Sequence, residues 1–161
     1  GGSGGGTGGG GGGAGGGSGP VVTPNDTRFD PPFEGDLIEA ALKVRGKAYA
    51  RYSGYRVGAA IEDEQGNIHI GCNVENAAFP EGSCAEANAI GAMVAAGGRS
   101  IRTIAVAGGL DAPEASTPCG GCRQRIREFS TADTVIILQD DNGRPKRYDI
   151  DTLLPRSFVL K

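Results

Sequence analysis

Apolar residues recur at helical spacing in three parts of the chain. In the first part, four apolar side chains from Leu37 to Ala48 form one stripe, and Asp36 stands where an N-cap residue is expected. A later alanine-rich stretch is followed by Gly97 and Gly98, which are typical of a helix end. The pattern predicts helices at residues 37–49, 83–96 and 119–129, with a short one at 152–154.

Short runs of apolar, often branched residues alternate with these helices and predict β-strands. The first two runs flank a turn at residues 64–67, a spacing typical of a β-hairpin. Two later runs are almost wholly apolar, as expected of buried central strands. Strands that alternate with helices, with a hairpin added, indicate an α/β sheet that carries helices on both faces. The predicted strands are residues 57–61, 68–72, 101–107, 134–138 and 146–150.

The composition divides the chain into three parts. Residues 1–19 hold about half of the chain's 30 glycines and few other residue types, so they predict a flexible tail or an added linker. Residues 20–32, rich in Pro, Asp and Thr, predict an extended linker. The remaining segment, residues 33–161, is long enough for one hydrophobic core but not for two, so we expect a single domain there.

The net charge of −3, without long runs of one sign, argues against a surface that tracks phosphates, and we expect no nucleic-acid partner. No apolar stretch approaches the length that a membrane span needs. The N-terminus also lacks the charged and apolar regions of a secretory leader. These features predict a cytoplasmic protein with no membrane partner, in which four cysteines indicate metal binding or catalysis before disulfides.

Three of the cysteines stand at the start of predicted helices. Cys84 opens one helix, within Cys-Ala-Glu, while Cys119 and Cys122 open another, within Pro-Cys-Gly-Gly-Cys. Cysteines three apart in a first helical turn can bind one metal ion, and Cys84 can supply a third sulfur. Three protein ligands leave one tetrahedral position of Zn²⁺ open, which is the mark of a catalytic zinc site. Glu86, two residues after a ligand, is placed to move protons.

A structural zinc site is the alternative interpretation. Cys72 or His69 could supply a fourth ligand and close the coordination sphere. Structural sites usually draw their ligands from two paired knuckles, whereas this chain has one Cys-x-x-Cys pair. We therefore favour the catalytic site. We expect Cys72 to be a small buried thiol and His69 to be an ordinary surface or strand residue outside the site.

Further motifs accompany the cysteines at residues 52–60 (YSGYRVGAA), 71–80 (GCNVENAAFP), 122–124 (CRQ) and 153–158 (LLPRSF). With Cys-Ala-Glu and Pro-Cys-x-x-Cys, the general signature of zinc nucleobase deaminases, they make the chain resemble the cytidine deaminase family. The resemblance is closest to the short-chain, homotetrameric bacterial type. It implies a three-layer α/β/α fold with a central mixed sheet of about five strands, and a catalytic domain at residues 33–161. It also implies zinc-dependent hydrolysis of cytidine and deoxycytidine to uridine and deoxyuridine, in pyrimidine salvage.

The resemblance also assigns roles within the zinc site. It implies that Cys84, Cys119 and Cys122 hold the Zn²⁺ ion. Glu86 is then the catalytic residue, which carries protons to the ring N3 and to the leaving amino group of the base. Ala85, between a ligand and the proton carrier, is a substrate-binding residue.

The resemblance extends to the residues that bind the nucleoside. It implies that Asn73 and Glu75 hydrogen-bond the ribose 3′-hydroxyl and that Tyr55 stacks on the pyrimidine. Because many relatives have Phe at that position, the Tyr55 hydroxyl needs water or a polar partner. Phe79 and Phe158 line the pocket, and Phe158 comes from a neighbouring subunit of a homotetramer with inter-subunit active sites.

Ala87 departs from the family pattern, because many relatives carry Arg directly after the catalytic Glu. Zn²⁺ with three thiolates has a net charge near −1, which that Arg offsets by hydrogen-bonding to a cysteine sulfur. In this chain the N-termini of the two ligand-bearing helices can contribute positive charge. We hypothesise that Arg123 contributes the rest by donating to a ligand sulfur.

Two other groups of zinc deaminases share part of this pattern. Blasticidin-type deaminases act on a cytosine nucleoside analogue, but the run Asn-Val-Glu-Asn at residues 73–76 favours an ordinary ribose. Deoxycytidylate deaminases and nucleic-acid editors usually have His-Ala-Glu in place of Cys-Ala-Glu and need phosphate contacts. Cytidine is therefore the favoured substrate, with a modified cytosine nucleoside as the alternative.

Overall fold

The computed structural model describes the backbone of residues 32–161. The tail predicted for residues 1–19 and the linker predicted for residues 20–32 lie outside the described residues, except for Pro32, at which the first helix begins. The helices are α1 (Pro32–Arg45), α2 (Ala85–Ala95), α3 (Gly120–Glu128) and α4 (Ile150–Leu153). The strands are β1 (Arg56–Asp63), β2 (Ile68–Cys72), β3 (Ile101–Gly109), β4 (Ser130–Gln139) and β5 (Pro145–Tyr148), and a short 3-10 helix covers Phe79–Glu81.

The five strands form one mixed sheet in the order β2-β1-β3-β4-β5. β3 and β4 are parallel and are joined by a crossover that contains α3, whereas the other neighbouring pairs are antiparallel. β3 lies in the middle of the sheet, and all of its residues are buried. The apolar run that predicted a buried central strand is therefore confirmed.

Helices cover both faces of the sheet, so the predicted three-layer α/β/α architecture is confirmed. On one face, Leu37 and Ala41 of α1 pack against strand residues such as Ala60. On the other face, residues of α2, α3 and α4 form a larger apolar cluster, in which Met93 packs with Ile104 and their neighbours. The strands supply both clusters because successive side chains point to opposite faces. Among residues 32–161, no helix is both long and apolar enough to cross a membrane.

The first helix differs from its prediction at both ends. It begins at Pro32, because proline fits the first turn of a helix, so Asp36 lies inside the helix and is not its N-cap. It ends at Arg45, before Gly46, and Tyr49 forms a bridge with Val74 instead of extending the helix.

The last elements of the chain are also shifted from their predicted bounds. α4 begins two residues earlier than predicted, because Asp149 acts as its N-cap and accepts a 2.7 Å hydrogen bond from the Thr152 backbone N–H. The preceding strand β5 ends at Tyr148 for the same reason.

Candidate active site

The N-termini of α2 and α3 bring three cysteines together on one side of the sheet. Cys84 is the N-cap of α2, and Cys119 is the N-cap of α3. Cys122 lies in the first turn of α3 and points inward with Ile126, so it is fully buried. All three sulfur atoms lie within 4.8 Å of one another. The convergence that the motif spacing predicted is therefore confirmed.

These thiols form an environment that a cation would stabilise. Burial raises the pKa of the Cys122 thiol, and the nearby charges of Glu86 and Cys84 raise it further. Burial likewise raises the pKa of Cys84, whereas the backbone N–H of Cys122 lowers the pKa of Cys119. The raised pKa values of Cys122 and Cys84 oppose ionisation of these thiols. A bound metal ion overcomes this, because it stabilises the thiolate forms directly. Three thiolates at this spacing fit Zn²⁺ with one coordination position open.

Neither Cys72 nor His69 joins the cluster. Among the described residues, the three cysteines are the group of His, Cys, Asp and Glu side chains close enough to share one ion. His69 Nε2 instead lies 2.8 Å from Asp63 Oδ2, at the β1–β2 end of the sheet. The alternative of a structural zinc site with one of these residues as fourth ligand therefore has no support in the geometry.

Glu86 lies in the first turn of α2, two residues after Cys84, and is only 4% exposed. Burial is the main cause that raises the pKa of its carboxyl group. Both properties follow from the packing of α2 against the sheet and α3, which shields the start of the helix from water. The start of the helix thus presents a cysteine sulfur and a carboxyl group to the same space.

A cavity of about 330 Å³ opens beside the cysteines. Its wall contains the three sulfur-bearing residues, Glu86 and five residues predicted to bind substrate: Tyr55, Asn73, Glu75, Phe79 and Ala85. It also contains residues that the sequence analysis missed, among them Ser83, Ser116 and Thr117. Ser83 directly precedes Cys84, and Ser116 and Thr117 are the two residues before Pro118, so their closeness to the cysteine motifs was the signal that could have found them.

Asn73 and Glu75 organise residues 52–57, which lead into β1 and include its first two residues. The Asn73 side chain accepts a 2.8 Å hydrogen bond from Val57 N and donates a 2.9 Å bond to Tyr55 O. Glu75 accepts hydrogen bonds from the backbone N–H groups of Tyr52 and Ser53 and from the Ser53 hydroxyl. These hydrogen bonds lower the pKa of Glu75, and the one from the Ser53 hydroxyl has the largest effect. The Glu75 side chain is therefore a carboxylate at neutral pH.

Tyr55 has the polar partner that the sequence analysis required. Its hydroxyl donates a 3.0 Å hydrogen bond to Ser116 Oγ, on the segment that leads to Cys119. The ring is thereby held in the cavity wall with its polar end satisfied. The prediction of a partner is confirmed, whereas stacking on a pyrimidine stays a prediction.

Phe79 and Phe158 are both exposed in the single chain. Phe79 lies at the rim of the cavity, 77% exposed, with its ring edge-on to Tyr52. Phe158 is 71% exposed and does not line the cavity of its own chain. Its carbonyl accepts a 3.0 Å hydrogen bond from Gln124 Nε2, which holds the C-terminal segment along α3.

The hypothesis that Arg123 donates to a ligand sulfur is wrong. Arg123 Nε donates to Pro118 O at 2.8 Å, and its Nη1 donates to Leu153 O at 2.7 Å. These backbone carbonyls, and not a sulfur, are its partners, because Arg123 directly follows Cys122 and adjacent residues in a helix do not share a face. Arg125, three residues after Cys122, lies on the same face and places its Nη1 4.0 Å from Cys122 Sγ.

Comparison with known proteins identifies a family for this arrangement. Residues 33–138 match the family described as the cytidine and deoxycytidylate deaminase zinc-binding region. The chain is similar to the cytidine deaminase of Sporosarcina psychrophila, with 38% identity over 122 residues that cover 76% of this chain and 88% of the relative. It is 36% identical to the cytidine deaminase of Halalkalibacterium halodurans over 125 residues, which cover 78% of this chain and 93% of the relative.

Solved structures agree with the sequence comparison. The fold is similar to the crystal structure of cytidine deaminase from Burkholderia pseudomallei, with a TM-score of 0.70 and 39% identity over 77% of this chain and 98% of that one. It is also similar to the crystal structure of cytidine deaminase from Mycobacterium tuberculosis, with a TM-score of 0.67 and 33% identity over 79% of this chain and 98% of that one. The segment that matches the family, residues 33–138, contains the three cysteines and Glu86.

Proposed function

Because the chain belongs to the cytidine and deoxycytidylate deaminase family, we propose that it hydrolyses cytidine and deoxycytidine to uridine and deoxyuridine, with release of ammonia. The observation that carries the proposal is the meeting of three cysteine sulfurs and a buried carboxyl group in one cavity. This set provides metal ligands and a proton carrier side by side, as hydrolytic deamination requires.

Cys84, Cys119 and Cys122 are the residues that hold the zinc ion. Bound there, Zn²⁺ supplies the Lewis acidity that makes water a nucleophile at neutral pH. The positive ends of α2 and α3 point toward the thiolates and stabilise their negative charge.

Glu86 moves the protons of the reaction. Its carboxylate accepts a proton from the attacking water and donates one to ring N3 of the cytosine while the water oxygen bonds to C4. It then carries the remaining proton of that water, now on the C4 hydroxyl group, to the exocyclic amine. The amine leaves C4 as ammonia, and the C4 oxygen becomes the carbonyl of uracil. Because Glu86 is almost fully buried, bulk water does not compete for these protons.

The other cavity residues fit a nucleoside. Tyr55 presents an aromatic ring for the base, and Ala85 leaves room beside Glu86 for the reacting edge of the ring. The Asn73 amide and the Glu75 carboxylate can bind the ribose 3′-hydroxyl. Their contacts with residues 52–57 use only part of the hydrogen bonds that these groups can form. A modified cytosine nucleoside is the alternative substrate. Pyrimidine salvage and a cytoplasmic location stay predictions from the sequence.

The active protein is a homotetramer in this proposal, and each cavity is completed by Phe158 of a neighbouring subunit. Phe158 is exposed in the single chain, yet hydrogen bonds to the C-terminal segment hold it in place. Phe79 at the cavity rim is exposed as well, so an aromatic side chain from another subunit could cover it.

The test of the proposed activity is the conversion of cytidine to uridine by the zinc-loaded protein, followed by absorbance. Replacing Glu86 by Gln keeps the size of the side chain but removes its ability to carry protons. We expect turnover to fall by about 10²- to 10⁴-fold, with the fold and the zinc content retained.

Glu128→Gln is the matched control, because Glu128 is an exposed carboxylate at the end of α3 and outside the cavity wall. Its turnover is expected to equal that of the wild type. A folded, zinc-loaded wild-type protein that fails to convert both cytidine and deoxycytidine would refute the proposed substrate. An active Glu86→Gln variant would refute the role of Glu86.

A further inference from the structure

The connection between β3 and α3, residues 110–119, carries three residues of the cavity wall and has no helix or strand of its own. It contributes Ser116, Thr117 and Cys119 to the cavity. Residues 110–115 are all exposed, and Leu110 itself is 53% exposed. Burial of apolar side chains therefore does little to hold this connection in place, and its hydrogen bonds must do so.

Backbone attachments hold the connection at its start, middle and end. Arg45 Nη2 donates to Gly109 O at 2.8 Å and to Leu110 O at 3.2 Å. Glu114 N donates to Gly108 O at 2.8 Å, which folds the connection back on β3. Arg123 Nε donates to Pro118 O directly before the Cys119 ligand.

The hydrogen bond between Tyr55 and Ser116 differs from these attachments because both of its side chains line the cavity. The two hydroxyl groups lie against the backbone of Gly108. A Cβ atom at position 108 would be 2.9 Å from Ser116 Oγ and 3.1 Å from the Tyr55 hydroxyl. The absence of a side chain at Gly108 thus makes room for the pair. The bond joins the segment before β1 to the connection between β3 and α3 across one wall of the cavity.

We propose that the Tyr55 hydroxyl is a positioning group, which holds residues 110–119 closed against the cavity before substrate binds. This role is separate from that of the Tyr55 ring and rests on the proposed function. In the closed connection Ser116, Thr117 and Cys119 already stand where a nucleoside and the metal need them. Without the hydrogen bond, a larger fraction of the molecules has the connection open, and substrate binding must close it.

The first test is hydrogen–deuterium exchange of residues 108–119 in the zinc-loaded protein without substrate. Tyr55→Phe and Ser116→Ala each remove one hydroxyl of the pair. We expect the loss of this one hydrogen bond to make amide exchange in the segment about two- to tenfold faster, because a larger fraction of the molecules is then open. Tyr49→Phe is the matched control, since Tyr49 is a half-exposed tyrosine that does not line the cavity. Unchanged exchange in both test variants would overturn the proposal.

The second test separates KM from kcat for cytidine. We expect KM to rise by up to about the same factor in Tyr55→Phe, with kcat unchanged, because bound substrate restores the closed connection. The double variant Tyr55→Phe/Ser116→Ala should have a KM no higher than that of either single variant, because both remove the same hydrogen bond. Ser116→Thr keeps a hydroxyl group, so its KM should stay close to that of the wild type. A fall in kcat at constant KM, or additive losses in the double variant, would overturn the proposal. An inactive wild-type protein would refute the proposed function but leave the exchange result to decide on the hydroxyl pair.

Discussion

Arg125 places its guanidinium Nη1 4.0 Å from Cys122 Sγ, beside a site that is otherwise rich in negative charge. Three thiolates exceed the charge of one Zn²⁺ ion, and the buried Glu86 carboxylate lies within the same cavity. Gly121 leaves room for the guanidinium, because a Cβ there would lie 3.2 Å from Nη1. Arg125 is therefore placed to offset part of the charge that Arg123 was expected to offset.

Replacing Arg125 by Ala should weaken zinc retention. The metal-loaded site is more negative than the metal-free site with neutral thiols, so a neighbouring cation favours the loaded state. We expect the variant to lose zinc to a competing chelator about tenfold more readily than the wild type. Arg127→Ala is the control, because Arg127 lies on the same helix but donates to Ser157 Oγ. Equal zinc retention in Arg125→Ala and wild type would contradict this role.

Two glycines allow the helices to lie directly on the sheet. A Cβ atom on Gly58 of β1 would lie 2.0 Å from Ala41 O and 2.6 Å from Arg45 N of α1. A Cβ on Gly71 of β2 would lie 2.4 Å from Ala89 N of α2. In both cases the obstacle is backbone, which cannot move aside without shifting a whole helix. α2 carries Cys84 and Glu86, so the second contact also sets the depth of the cavity.

Replacement by Ala, which adds one methyl group, should have opposite effects on stability at a glycine that faces another backbone and at a glycine with free space around it. Gly58→Ala should destabilise the protein by about 3 kcal/mol or more, because it forces α1 away from β1. Gly91→Ala should stabilise it by about 0.5–1 kcal/mol, because Gly91 lies within α2 and a Cβ there would meet nothing within 4 Å. Denaturant unfolding of the zinc-loaded proteins measures both. Similar stabilities for the two variants would show that the close approach of α1 is not required.

At the scale of the whole molecule, the exposed apolar side chains indicate where other subunits could bind. They include Ile68 and Ile70 on the edge strand β2, Phe79 at the cavity rim, and Phe158 with Leu160 in the C-terminal segment. Aromatic side chains are enriched at subunit interfaces, and contiguous exposed apolar surface marks interaction sites. The homotetramer and the supply of Phe158 between subunits stay predictions, and both can be measured.

Light scattering should give a mass about four times the 16.3 kDa of one chain. Phe158→Ala should lower kcat/KM roughly tenfold or more, since it removes one aromatic wall of the cavity. Chains with Phe158→Ala and chains with Glu86→Gln should regain activity when they are co-expressed, because a mixed tetramer contains cavities with Glu86 and Phe158 from different chains. Activity no greater than that of Phe158→Ala alone, or a monomeric mass, would contradict the shared cavity.

Local patterns in the sequence predicted much of this molecule. The alternation of apolar runs indicated the five strands and four helices of residues 32–161, since burial on one face dictates a period of 3.6 or 2. The predicted starts of α1 and α4 were wrong because Pro32 begins α1, and Asp149 caps α4, earlier than the apolar pattern does. The convergence of the three cysteines was also predicted, because ligands at two helix starts need little more than the packing of those helices.

The sequence alone predicted the α/β fold class, the meeting of the three cysteines and the place of Glu86 at the start of a helix, because local periodicity and short motifs indicate each of them. The approach of Arg125 to Cys122 follows from their spacing of three residues in one helix, whereas only the folded chain brings Ser116 to Tyr55. The contact between Tyr55 and Ser116, like the one between Gly58 and α1, joins two segments whose distance depends on how the sheet and helices pack. Residue spacing within one segment does not fix the distance between atoms of two different segments. Side-chain hydrogen bonds and close backbone contacts depend on that distance to within a few tenths of an ångström.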